Sequence, residues 1–147
     1  MAGQFEGKAE IDRPIEEVFA FLADGENDPK FSPRVLKITK KTDGPTAVGT
    51  VYASTVKDAG MKSTREFRIS RFDAPATIRW TEVSKNLVTA EGGYDLEATP
   101  EGKTRLRVFN GLEGHGVGKL LVGFALSAAR KDADAFAQRI KTAVEAS

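Results

Sequence analysis

Side chains able to do bond-making chemistry are few in this chain. It has one histidine, His115, and no cysteine. Thiolate nucleophiles and disulfides are therefore out of reach. A histidine-based zinc site or a two-histidine, one-carboxylate iron site cannot be assembled within one chain. No Ser-His-Asp arrangement can be argued from spacing. His115 is left as a lone general base or, more ordinarily, as a solvated loop histidine. It stands in Gly114-His-Gly-Val-Gly-Lys-Leu-Leu121, which opens like a phosphate loop. A phosphate loop needs a glycine five residues before its Gly-Lys pair and a hydroxyl after the lysine. Glu113 and Leu120 stand at those places. The dinucleotide pattern fails as well, because Leu121 holds its third glycine position. No metal and no nucleotide cofactor is expected. The glycines at 111, 114, 116 and 118 read as a sharp exit from a strand.

The remaining polar candidates lie in phase with apolar residues on strands, so alternation turns them inward. Arg65 is in phase with Phe67 and Ile69, and Glu82 with Ile78 and Trp80. Gly92 is in phase with Val88, Ala90, Tyr94 and Leu96, and Asn110 with Leu106, Val108 and Leu112. A turn at 99–103 sets Leu96 opposite Leu106 and hence Gly92 opposite Asn110. A three-residue turn at 85–87 sets Trp80 opposite Gly92. Trp80, Gly92 and Asn110 then form one inner row whose middle member has no side chain. A gap between a large aromatic and an amide suits a small-molecule pocket with apolar walls and few polar groups. Ordinary core packing is the plainer reading of Trp80, a strand bend that of Gly92, and a satisfied amide that of Asn110. Arg65 and Glu82 are expected to pair near the pocket mouth, because burying either alone is costly.

These residues need elements to hold them. Residues 4–12 alternate and read as a strand. Asp12 is placed to cap, and Pro14 suits the first helical turn before Ile15, Val18, Phe19 and Leu22 at helical spacing. Gly25 and Pro29 break that helix. Six strands follow, at 34–42, 48–58, 61–72, 76–84, 87–98 and 103–112, with short turn-forming separators that imply antiparallel hairpins. A helix over about 116–145 ends the chain and is the only element long enough to cover the inner face of the sheet. Val117, Leu120, Leu121, Phe124, Leu126 and Ala128 spread around more than one side of its first half, with Lys119 the one charge among them. One side is expected to lid the cavity, and the rest to meet loops, ligand or a partner protomer in a homodimer. Gly123 in its middle suggests a close approach or local mobility.

With 147 residues the chain is expected to form a single domain, 1–147, able to build its own core. Lys and Arg number 22 against 21 Asp and Glu. That near balance argues against a nucleic-acid partner. The basic run Lys62, Arg65, Arg68 and Arg71 is interleaved with Glu66 and Asp73 and reads as a solvated face. The N-terminus lacks an apolar signal region, and no apolar run approaches a membrane span, so a cytoplasmic location is expected.

Several stretches are similar to the START-like helix-grip superfamily, in its polyketide cyclase/dehydrase-like (SRPBCC) branch. They are Pro14 to Asp24, Phe31-Ser-Pro33, Val48-Gly-Thr50, Gly93-Tyr-Asp-Leu96 with Gly102-Lys-Thr-Arg105, and the glycine-rich entry to the final helix. The resemblance spans nearly the whole chain and rests on order and spacing. It implies an α+β fold: a seven-stranded curved antiparallel sheet wrapped around a long C-terminal helix, with one or two short helices after the first strand. It also implies a cavity holding a hydrophobic or amphipathic small molecule. Its expected lining is Phe31, Tyr52, Arg65, Phe67, Trp80, Glu82, Gly92, Tyr94, Val108, Asn110, Leu121 and Phe124. A carrier or sensor needs only one or two polar groups there, which is the leading expectation. An aromatase/cyclase-type enzyme without cofactor would use Asn110, Tyr52, Tyr94, Glu82 and Arg65 to steer protons. A protein-interaction module using the apolar helix is the third reading.

Overall fold

The computed structural model describes residues 3–58 and 60–147. Strand β1 (Gly3–Ile11) is followed by helix α1 (Ile15–Ala23) and a short 3₁₀ segment, Gly25–Lys30. Six strands come next: β2 (Val35–Lys40), β3 (Val51–Asp58), β4 (Met61–Asp73), β5 (Thr77–Glu82), β6 (Val88–Ala98) and β7 (Thr104–Gly114). Helix α2 (Gly118–Glu145) closes the order. The strands form one antiparallel sheet ordered β1-β7-β6-β5-β4-β3-β2, so the first strand returns to pair with the last. This is the fold expected from the sequence.

The registers follow from the hairpins. Leu96 faces Leu106, Gly92 faces Asn110, and Trp80 faces Gly92. The β5–β6 connection is longer than the expected three-residue turn, yet the register of Trp80 holds. Two bulges, between Val35 and Lys37 and between Ile69 and Arg71, re-aim side chains. After the second, Phe72 joins Ile69 and Ile78 on the inner side.

Helix α1 forms where Ile15, Val18, Phe19 and Leu22 recur at helical spacing. It buries Val18, Phe19, Phe21 and Leu22. Its start differs from expectation. Pro14 is the cap residue, in extended conformation, and no side chain caps the helix. Asp12 instead donates its backbone N–H to Glu145 at the far end of α2, at 2.8 Å. The acidic first turn, Glu16 and Glu17, still suits the helix dipole.

Helix α2 has 28 residues, which at 1.5 Å rise makes about 42 Å. It lies along β1 and β7, with lesser contact to β6. Its buried seam is Val122, Leu126, Ala133, Ala137, Ile140 and Val144. Asp132 is exposed and paired with Arg139 at 2.7 Å. At the N-terminal end Gly118 lies against the Leu87 carbonyl with no room for a Cβ, and His115 donates its N–H to the same carbonyl at 2.7 Å. The glycine-rich stretch is thus a turn that ties α2 to the β5–β6 loop. Gly123 meets nothing within 4 Å, so the expected close approach there does not occur. No helix among the described residues is long and apolar enough to cross a membrane.

Candidate functional site

The inner face of the sheet and the elements lying over it hold the candidate site. Its floor is apolar: Ile69, Ile78, Leu96, Leu106 and Val108 are buried, and Trp80 is half-buried against them. Phe67 meets Trp80 edge-on at 5.0 Å between centroids. Phe31 is buried among Phe21 and Phe136 and is part of the core.

The row Trp80–Gly92–Asn110 forms as the register requires, but it contains no gap. A Cβ on Gly92 would run into the Phe109 carbonyl, lie 2.6 Å from the Asn110 amide oxygen and sit 3.0 Å from the Trp80 ring. Sequence shows that Gly92 lacks a side chain. It does not show that both neighbours lean into the place. Gly92 is therefore the residue that lets Trp80, the Asn110 amide and the β7 backbone close together.

Arg65 and Glu82 do pair, at 3.0 Å, with the Glu82 side chain fully buried. Arg65 also donates to the Val88 carbonyl at 2.9 Å. Glu82 accepts from Ser84 Oγ at 2.6 Å, Asn86 Nδ2 at 2.6 Å and the Ala90 N–H at 3.0 Å. Both carboxylate oxygens are occupied, and the cluster fastens the β5–β6 loop. Ser84 and Asn86, in an irregular loop, carry no periodic signal that would have revealed them. The Tyr52 hydroxyl is likewise committed. It bonds Thr46 Oγ1 at 2.6 Å and donates to the Ala23 carbonyl at 3.3 Å.

Three polar side chains at the inner face stay open. The Tyr94 hydroxyl and the Asn110 amide make no hydrogen bond among the described residues, and the Asp28 carboxyl makes none either. Yet no buried side-chain N or O among the described residues lacks a partner. Each of the three therefore borders accessible space. Asp28, on the 3₁₀ segment, was not singled out from the sequence. The residue as a whole is half-buried, but its carboxyl is withdrawn from water. That desolvation, reinforced by the charge of Asp24, lifts its pKa from 3.8 to about 7. Burial, and then the charge of Asp28, hold Tyr94 well above the ordinary phenol range. Tyr94 is a neutral donor there, and Asp28 is poised to titrate close to neutrality.

Leu121 and Phe124 do not seal the site. They are 49% and 80% exposed, while Val122 and Leu126 pack downward. A helix apolar on several sides gave no hint of which side β1 and β7 would take. His115, on the exposed loop, bonds Thr89 Oγ1 at 2.8 Å.

Two hollows indent the outer face instead. One of about 260 Å³ lies among Gln4, Arg79, Thr81, Glu91 and Phe109. A wider one of about 570 Å³ lies among Lys8, Glu10, Asp95, Glu97, Arg105 and Arg107. Asp95 there binds Arg79 at 2.8 Å and Arg107 at 2.9 Å, and both guanidinium groups stack on Phe109. These charges are already matched to one another, and the wider hollow also takes in Ala9, Leu96 and Leu106.

A sheet gripping a long helix, with its few open polar groups on the inner side, can be compared with known proteins. The family model described as polyketide cyclase/dehydrase and lipid transport matches residues 2–145. The chain belongs to that family. Among solved structures, family-like folds recur at low identity. A Thermus thermophilus protein is 16% identical, with a TM-score of 0.79 and 98% of each chain covered. The Zhui aromatase/cyclase from a Streptomyces species is 17% identical, with a TM-score of 0.78, covering 97% of this chain and 93% of that one. A START superfamily protein from Mycobacterium smegmatis is 14% identical, with a TM-score of 0.69, covering 95% of this chain and 97% of that one. No curated protein matches the chain. These similarities establish the helix-grip fold, a curved sheet wrapped around a long C-terminal helix.

Proposed function

We propose that this family member is a cytoplasmic, single-domain binding protein that holds a hydrophobic or amphipathic small molecule between its sheet and α2. One observation carries the reading. The inner face is largely apolar, its Arg65, Glu82 and Tyr52 are paired within the fold, and Tyr94, Asn110 and Asp28 border accessible space without hydrogen-bond partners among the described residues. An apolar wall with a few open polar groups orients a mostly apolar ligand. Tyr94 offers a donor, Asn110 a donor and an acceptor. Phe67, Trp80 and Val108 supply wall. Leu121 and Phe124 belong to the entrance in this reading.

Trp80 is the only tryptophan, so its emission reports on this place alone. Native mass spectrometry of freshly purified protein should show a co-purifying apolar molecule. Titrating that molecule, or an apolar fluorescent fatty acid, into stripped protein should shift Trp80 emission. Asn110→Leu should weaken the binding. Binding that leaves Trp80 emission unchanged and survives Asn110→Leu would place the ligand elsewhere.

A second reading, a cofactor-independent cyclase-type enzyme in the same space, is favoured by Asp28. An acid with a pKa of about 7 can both give and take a proton near neutral pH. Tyr94 would then donate to a ligand carbonyl. Turnover of a polyketone chain lost in Asp28→Asn but with binding kept would support it.

A further inference from the structure

One end of the grip leaves a group of large apolar side chains uncovered. On α2 and the turn before it, Val117 is 64% exposed, Leu120 79% and Phe124 80%. Leu87 and Val83 on the β5–β6 loop and Met61 at the β3–β4 turn are also exposed. Sheet polarity points these pieces the same way. β6 begins beside the end of β7, while β5 ends opposite Phe67, midway along β4, so the β3–β4 tip with Met61 runs on beyond the β5–β6 loop. The His115–Leu87 hydrogen bond joins the α2 entry to the β5–β6 loop, and Val83 donates its N–H to the Glu66 carbonyl at 2.8 Å.

Lysines frame this apolar end. Lys57 and Lys62 face each other across the β3–β4 hairpin, Lys85 is in the β5–β6 loop, and Lys119 begins α2. All four lie at or near the surface, and among the described residues none is in a salt bridge. Lys131 follows one helical stripe beyond Leu120, Phe124 and Ala128. Against them stand Asp58, which ends β3 between Lys57 and Lys62 in sequence, and Glu113 at the end of β7. Lysine stems can lie along apolar material while their ammonium groups reach an anionic layer.

We propose that this end docks on an anionic lipid surface, with Leu120 and Phe124 entering the headgroup boundary and the lysines meeting acidic headgroups. Exposed apolar groups of this size mark an interaction face. A helix side with apolar residues flanked by lysines is what an interfacial helix presents. The charge favours lipid over a second copy. A two-fold pairing through α2 would bring like-charged lysines together around the apolar contact. The proposal goes beyond the cavity reading and does not need it, because membrane docking is measured without any ligand in the site.

Co-sedimentation tests it, with vesicles of phosphatidylcholine alone or with about a third phosphatidylglycerol. The wild-type protein should pellet with the anionic vesicles, less with neutral ones, and less again as salt rises. Leu120→Ser and Phe124→Ser should each weaken binding about tenfold. Lys119→Glu should weaken it about fivefold or more on anionic vesicles only. Melting temperatures should not move, because these side chains are exposed. Wild-type protein that ignores anionic vesicles overturns the proposal. So does binding that Phe124→Ser and Leu120→Ser leave unchanged. A concentration-dependent dimer that these same variants dissociate, with no vesicle binding, would assign the face to a second copy instead.

Discussion

Replacing Asp28 by Asn should make the protein more stable at alkaline pH and leave it unchanged at acid pH. The carboxyl is desolvated and lies within reach of the charge of Asp24, so its pKa rises from 3.8 to about 7. The folded state therefore holds this proton more tightly than the unfolded chain does. Below pH 3.8 both states are protonated, and the group costs nothing. Between there and pH 7 the unfolded chain gains the charge that the folded chain resists, so stability falls as pH rises. Roughly three pKa units at about 1.4 kcal/mol each give a loss of about 4 kcal/mol at most by pH 8. Partial access of the half-buried residue to water reduces this. Asn is neutral and nearly isosteric, so it removes the slope without opening a hole. Urea denaturation at pH 3, 6 and 8 should show the two proteins equal at pH 3. The variant should then gain steadily, reaching an unfolding free energy higher by up to about 4 kcal/mol at pH 8. A constant difference at all three pH values, or a variant less stable at pH 8, would mean that Asp28 is solvated or paired and that its place beside Tyr94 is misread.

Gly92→Ala should cost about 1 to 3 kcal/mol, since its Cβ meets a backbone carbonyl and the Asn110 amide, whereas Gly123→Ala, in open space on a helix, should gain up to about 1 kcal/mol; chemical denaturation of both checks the contrast. Arg65→Met should cost about 3 kcal/mol or more because it strands the buried Glu82, while Arg71→Met, on the exposed pair with Asp73, should stay within about 1 kcal/mol, again by chemical denaturation. Deleting residues 116–147 should leave a chain without a cooperative thermal transition, because α2 covers β1 and β7 and nothing else among the described elements takes its place.

The sheet was legible because alternation and turn residues act locally and leave a mark at every second position. Leu96 opposite Leu106 needed only the hairpin between them, and the row of Trp80, Gly92 and Asn110 followed by counting. Arg65 and Glu82 were legible for the same reason, since each is in phase with apolar neighbours and neither tolerates solitary burial. What depends on distance in space was hidden. Asp28 sits in a 3₁₀ segment without periodicity, and its pKa is set by burial and by Asp24. Nothing near it in sequence announces Tyr94, which lies on the sheet far along the chain. Leu121 and Phe124 belong to a helix apolar on several sides, so pattern could not say which side would be covered. Asp12 carried a capping residue's identity, yet its backbone is held by Glu145 from the other end of the chain.

The polar inventory of the inner face also bears on carrier against enzyme. Five residues could have steered protons: Tyr52, Arg65, Glu82, Tyr94 and Asn110. Three are spent on the fold. Tyr52 clamps Thr46 and the end of α1, while Arg65 and Glu82 hold each other and the β5–β6 loop. Removing such a group from its partners to serve a substrate would cost more than a typical hydrogen bond returns. That leaves Tyr94, Asn110 and the newly found Asp28, of which only Asp28 titrates in the useful range. One acid beside one phenol can orient a carbonyl or hydroxyl head and move a single proton. A multi-step cyclisation asks for more groups around the chain than these three. In the binding reading proposed above, a ligand whose polar head accepts a hydrogen bond from protonated Asp28 should leave the site more readily as pH rises through 7.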